Sequence, residues 1–453
     1  MKRISLFLST VIVVLLTSCS GTDYVNAIPD GCPALMSIDA AQTAKESNLG
    51  TKANVMMSLL KVSDPGDCGI DFSRKVYLFE MPDGNFGMVA RVSSQKDLNN
   101  WLGRLNEKQL AKPVTERRGF HFSVLKDSWV IGSSKQAVMV MGPVVAAQQA
   151  ETMTKMAKYL AQGEDDGVKG TPIFEKLDSL EGGMVMVARV RALPDKLAPL
   201  LMIGAPKDAD DSQVVIAARM SVADGCLHVE GEPFSFNKTI RAAMKENMQT
   251  MRPVSDRFLH GFSGQMGLWM NAEGGKLLSL LQQNKSLQAV LAGINTAIDM
   301  DNIIRSIDGN LLLSIDNFSD ESLNLGMVAD LKNTAFLSDV DYWKQSCPPG
   351  SYLTNWDRPR NNTSYVYVSG HSRYFFGVYG GQKPMFFSGS SEEQAMSLAV
   401  LPSLSSKALP GIAGKRFAMM VDFRAIDHEA VNVVTSLLQP LFGQLNAIVY
   451  TVE

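Results

Sequence analysis

Cysteine and histidine are scarce in this chain of 453 residues, five of each. It has no CxxC motif and no two histidines at ligand spacing, so the sequence offers no zinc framework. Beyond the first nineteen residues no apolar run is long enough to span a bilayer. The formal net charge is only −3, which leaves no overall basic field to attract nucleic acid. Phosphate-cradling glycine loops are missing too. Gly380-Gly381-Gln382-Lys383 lacks the Walker spacing and has no Ser or Thr after the lysine.

The N-terminus is rich in signal instead. Lys2 and Arg3 form a positive start and Ile4 to Leu16 an almost unbroken apolar block, too short for a permanent span. Residues 1–18 therefore read as a cleaved export signal. Leu16-Thr17-Ser18-Cys19 resembles a bacterial lipobox, in which the cysteine is acylated and becomes the mature N-terminus. Several acyl chains on Cys19 anchor stably where a single chain is marginal. Residues 19–23 form a short lipidated tether, and Ser20 after the cysteine is compatible with sorting to the outer membrane. Whether the body faces the periplasm or the exterior stays open.

With 45% hydrophobic and 20% charged residues, the rest is globular. The 25 methionines sit mostly in apolar runs such as Met139, Met141, Met419 and Met420, where they serve as adaptable core filler. An exported compartment permits disulfides, and four cysteines beyond Cys19 allow three connectivities. A local Cys32–Cys68 bridge is the most natural of these; Cys226 and Cys347 would then have to meet across the two halves.

Self-similarity organises the chain. Phe86-Gly-Met-Val-Ala-Arg-Val92 recurs as Leu325-Gly-Met-Val-Ala-Asp-Leu331, and Met184–Leu193 parallels Phe417–Ile426. Trp129-Val-Ile-Gly-Ser-Ser134 is echoed by Phe387-Ser-Gly-Ser-Ser391, and Ala34–Ala40 by Met266–Ala272. The order of the matches is kept, so two tandem copies are expected, 24–252 and 253–453. Pro82-Asp83-Gly84-Asn85 predicts a hairpin, Lys126-Asp127 a second turn, and apolar spacing predicts helices over 148–160, 237–251 and 276–294. Asn237 has the place and chemistry of an N-cap. Strand runs broken by helices and tight hairpins predict an α+β fold, with mixed, mostly antiparallel sheets covered by helices. Residues 163–170, 206–212 and 348–362 read as loops.

Tyr24-Val-Asn-Ala-Ile-Pro-Asp-Gly31 after the lipobox, Asp71–Phe79 and Ile307–Leu313 resemble the recurring stretches of an uncharacterised lipoprotein family of Bacteroidetes, a domain of unknown function. The resemblance implies location and fold and brings no catalytic residues.

Candidate chemistry is thin. His428-Glu429 begins like a zincin motif but lacks the second histidine. Gly370-His371-Ser372-Arg373-Tyr374 resembles a nucleophile elbow whose last small residue is replaced by tyrosine. Asp64, Asp67 and Asp71 could gather around calcium but miss the EF-hand spacing, so a plain turn is favoured. Asp178-Ser179-Leu180 looks like a short O-glycosylation site and fits a helix surface equally well. One segment has recognition character, with Tyr352, Trp356, Arg358 and Arg360 in a run of Asn and Pro. The alternative there is a crossover loop pinned by its own aromatics.

The expectation is a non-catalytic lipoprotein of the outer membrane, a scaffold or binding partner that needs no cofactor or metal. Its partners are the membrane, through lipid on Cys19, and an envelope protein or glycan, with no nucleic acid. The alternatives are a glycan- or peptide-binding surface lipoprotein using the 348–362 loop, and an enzyme with an unrecognised site.

Overall fold

The computed structural model describes residues 21–46, 64–193, 197–283, 288, 298–316, 324–357, 362–380, 383–401, 409, 411–426 and 444–453. Cys19 and His428 lie outside them. The chain divides into two compact units, Met1–Ala192 with Arg219–Ser221, and Leu193–Ala218 with Val222–Glu453. Among the described residues no helix is long and apolar enough to cross a membrane.

In the first unit the strands are β1 (Ala34–Ile38), β2 (Val76–Glu80), β3 (Phe86–Arg91), β4 (Thr115–Arg117), β5 (Phe120–Leu125), β6 (Trp129–Ser133), β7 (Ala137–Gly142) and β8 (Met184–Arg189). They pair antiparallel throughout, in the order β8-β1-β2-β3-β7-β6-β5-β4. The turns expected from sequence set this register. Lys126 and Asp127 both take left-handed φ, as a two-residue hairpin of matching twist requires. The helices are α1 (Ala40–Glu46), α2 (Gln95–Glu107), α3 (Gln149–Leu160) and α4 (Pro172–Asp178). Ser94 caps α2 by accepting from the Asp97 N–H. Leu98, Trp101, Leu102 and Leu105, at helical spacing, then bury one face of α2 with Ile131 and Val138 of the sheet. Each such side chain contributes about 1.5–3 kcal/mol.

The second unit contains most of β9 (Val215–Ala223), and β10 (Cys226–Phe234), β11 (Met266–Glu273), β12 (Ile307–Asp316), β13 (Asn324–Leu331), β14 (Ser351–Asn355), β15 (Asn362–Ser369), β16 (Ser372–Tyr379), β17 (Met385–Gly389), β18 (Phe417–Asp422) and β19 (Ala447–Val452). Here β9 pairs with β10 across an Asp224-Gly225 turn at left-handed φ. From β10 the order runs β10-β19-β18-β11-β12-β13-β17-β16-β15-β14, antiparallel except for the parallel β10–β19 pair. That pair helps place residues ahead of Pro253 in the second unit, whereas the repeat boundary read from sequence falls at 252/253. The helices are α5 (Ala198–Leu201), α6 (Lys238–Gln249), α7 (Gly274–Gln283), α8 (Met300–Arg305), α9 (Val340–Gln345) and α10 (Glu392–Val400). Asn237 caps α6 as expected, accepting from the N–H groups of Thr239 and Ile240. Trp269, 1% exposed, anchors the core beside Phe258 and donates its Nε1 hydrogen to the Phe258 carbonyl at 2.9 Å.

Strands combined with helices make the fold α+β. Three cross-strand pairs set an aromatic ring over a glycine: Phe79 over Gly87, Phe122 over Gly132 and Phe387 over Gly377.

Residues 348–362, expected to be a loop, instead carry β14 and the start of β15. The turn Pro348-Pro349-Gly350 delivers the chain into β14, which pairs only with β15 among the described residues. At such an edge only Leu353 is buried within the strand, so the alternation that signals a strand is nearly absent from the sequence.

Candidate functional site

A polar cavity of about 280 Å³ opens in the second unit, lined by residues 261–265, Ser314, Asp316, Ser397, Leu398, Leu401 and Ala425. Its floor is the end of β12. Asp316 Oδ1 accepts the Gln265 backbone N–H at 2.8 Å, and Oδ2 accepts from Gln394 Nε2 of α10 at 2.8 Å. Gln394 is itself fixed, because its Oε1 accepts the Ser390 N–H at 3.0 Å. The carboxylate is thus held as an acceptor in a set orientation.

The loop Gly261-Phe262-Ser263-Gly264 runs over this floor into β11. Gly261 has φ +68°, a conformation that glycine adopts freely. Gly264 approaches so closely that a Cβ there would lie 2.7 Å from the Phe262 ring and the Ser314 Oγ, and 2.9 Å from Asp316 Oδ1. The backbone N–H groups of residues 261–264 donate to no acceptor among the described residues. Ser314 is 2% exposed, and its hydroxyl likewise has no partner there. Leu398 and Leu401 supply an apolar wall, and Ser397 Oγ donates to the Gln394 carbonyl at 2.9 Å.

A second polar cluster, around the fully buried Asp330 of β13, is structural in character. Arg257 Nε lies 2.8 Å from Oδ1, and Lys383 Nζ 2.9 Å from Oδ2. Asn310 adds its backbone and side-chain N–H groups to Oδ2 at 3.1 and 3.2 Å. Gly309, at φ +145°, leaves the room that Lys383 and Asp330 occupy. A buried carboxylate needs such pairing, and both cations retain access to water.

The residues singled out from sequence are scattered. Tyr352 is 55% exposed, but Trp356 is 7% exposed, with its ring 5.0 Å from Phe375 and 6.3 Å from Phe387. Trp356 thus fits the alternative of a segment pinned by its own aromatics, and Tyr352 is left as the exposed aromatic. Residues 352, 354 and 356 share a face, and that face runs from the open sheet edge into packing against α10. Arg358 and Arg360 lie outside the described residues. The Cys32–Cys68 bridge is corrected: both cysteines are buried, and neither is in a disulfide among the described residues. Cys32 donates to the Pro29 carbonyl at 3.0 Å, while Cys68 packs beneath α2 with Leu98 and Trp101. Burial, then the Asp30 charge, pushes the Cys32 thiol up to about 12; burial also raises that of Cys68. Cys226 and Cys347 are free too, the latter donating to the Trp343 carbonyl at 3.3 Å.

The other motifs have local roles. Gly370-His371 forms the tip of the β15–β16 hairpin, with Ser372 opening the second strand instead of a helix. Asp64 accepts the Gly66 N–H at 2.7 Å, and Asp71 accepts from Ser73 and pairs with Arg91 at 3.4 Å. Among the described residues no cluster of three or more metal-ligating side chains forms. The cavity itself was not foreseen. Its residues come from segments far apart in sequence, and the one local signal is the Gly-Phe-Ser-Gly run ahead of β11.

No curated protein matches the chain. Two solved structures are similar to part of it: crystal form IV of TP0453 at 15% identity over 44% of this chain and 72% of that one, and crystal form III at 17% over 43% and 70%. The TM-score is 0.24 in both. One family profile, described as a domain of unknown function, matches residues 36–405. The chain belongs to that family, DUF4836.

Proposed function

We propose that this protein is a non-catalytic cell-envelope lipoprotein, held at the outer membrane by lipid on Cys19, that works by binding. The observation carrying the binding role is the Asp316 carboxylate, fixed by hydrogen bonds from Gln265 and Gln394 at the floor of a polar cavity. A fixed acceptor at the floor of a polar cavity suits recognition of a ligand donor.

The body is built as a tandem duplication. The pairing order β8-β1-β2-β3-β7-β6-β5-β4 reappears as β18-β11-β12-β13-β17-β16-β15-β14, each strand ten places on. Three of the sequence matches support this reading, falling on β1 and β11, β3 and β13, and β8 and β18. The fourth does not, because Trp129–Ser134 lies on β6 and Phe387–Ser391 on β17.

Membrane fractionation with radiolabelled palmitate tests the anchor. The full chain should be labelled and sediment with membranes, while Cys19→Ala should be unlabelled and leave them. A labelled, membrane-bound Cys19→Ala variant would overturn the assignment.

A further inference from the structure

We propose that the second-unit cavity binds a neutral, polyhydroxylated small molecule of about hexose size. This deepens the binding role above and names its ligand chemistry. The volume, about 280 Å³, lies just below the usual range of ligand sites, about 300–1,000 Å³, which suits a single ring better than an extended chain.

Charge and hydrogen-bonding capacity select the class. Among the described residues no Lys or Arg lines the cavity, and Asp316 sits at its floor, which disfavours an anion. A simple cation is disfavoured from the other side. The carboxylate already accepts two hydrogen bonds, and the N–H groups of the loop above it have no acceptor among the described residues. Donors and acceptors therefore stand together: N–H groups of residues 261–264, the Ser314 hydroxyl, and the remaining lone pairs of Asp316. A hydroxyl group both donates and accepts, so a polyol satisfies such a set where an ion of either sign satisfies only half. Leu398, Leu401 and the Phe262 ring complete the match by offering an apolar wall to the C–H face of a sugar-like ring.

The test uses the full chain in a detergent with no sugar headgroup. D-glucose, D-galactose, N-acetylglucosamine and myo-inositol are titrated by ligand-observed NMR, with sodium phosphate and choline as charged probes. At least one neutral polyol should bind with millimolar affinity or better. Ser314→Ala should weaken it by about five- to twentyfold, the loss of one hydrogen bond to the ligand, and Gln394→Ala should weaken it by releasing the Asp316 carboxylate from its set orientation. Should either variant fail to fold, the exposed Ser397→Ala carries the comparison. The proposal is overturned if no polyol binds, if phosphate or choline binds more tightly, or if these substitutions leave the affinity unchanged. None of those outcomes affects membrane fractionation of Cys19→Ala, so the two readings fail separately.

Discussion

Replacing Trp356 by alanine separates a strap from a recognition residue. The indole is 7% exposed, stacks edge-on against Phe375 and touches a cluster that includes Phe387, Ala395 and Ala399. Truncating a buried Trp or Phe typically costs about 3–5 kcal/mol, through lost transfer energy and the cavity left behind. One feature lowers that figure: the indole Nε1 is buried with no acceptor among the described residues. Truncation therefore relieves a desolvation penalty of about 1–3 kcal/mol. The net expectation is a loss of about 1–3 kcal/mol, or on the order of 5 °C in melting temperature. Tyr352→Ala, four residues away on the same face but 55% exposed, should stay within about 0.5 kcal/mol. Denaturant unfolding followed by circular dichroism measures both. A Trp356→Ala variant as stable as wild type would refute the packing argument. So would a Tyr352→Ala variant that loses as much.

Two further perturbations bear on buried charge. Arg257→Ala and Lys383→Ala should each cost about 1–2 kcal/mol in chemical denaturation, and the double variant more than their sum, because only then does the buried Asp330 lose both cations; strict additivity would refute the cluster. Alkaline pH should unfold the protein, since burial pushes the Tyr24 and Tyr374 phenols and the Cys32 thiol up to about 12, and raises Tyr77 and Tyr450 also. Between about pH 9 and 12 the unfolded chain holds fewer protons than the native one, so stability should fall as pH rises; a flat melting temperature across that window would exclude the effect.

Local chemistry made parts of the fold legible in the sequence. Lys126-Asp127 and Pro82–Asn85 were readable as turns because few residues suit those backbone angles, and Asn237 as a cap because its side chain can accept the first free N–H groups. The repeated Gly-Met-Val-Ala run marked β3 and β13, both interior strands, β13 buried on two faces and β3 mainly on one. β14 was not legible, since an edge strand with one buried side chain carries no alternation to read. The Cys32–Cys68 pairing failed for a related reason: nearness in sequence says nothing about which side of a helix each thiol packs beneath. The cavity was invisible because it depends on a glycine loop, a strand end and a helix meeting, with no fixed spacing among Gly264, Ser314, Asp316 and Gln394.

The rings laid over Gly87, Gly132 and Gly377 act as phase markers for their sheets. A strand slipped by one residue would turn its whole side-chain set to the opposite face. Each slip would also carry Phe79, Phe122 or Phe387 off its glycine and onto a residue with a Cβ, where the ring no longer fits. Met-rich, Val-rich strands are otherwise nearly interchangeable along their length, and methionine tolerates many packings. The glycine–aromatic pairs thus supply a discreteness that the rest of the core lacks, excluding near-miss pairings at three separate places.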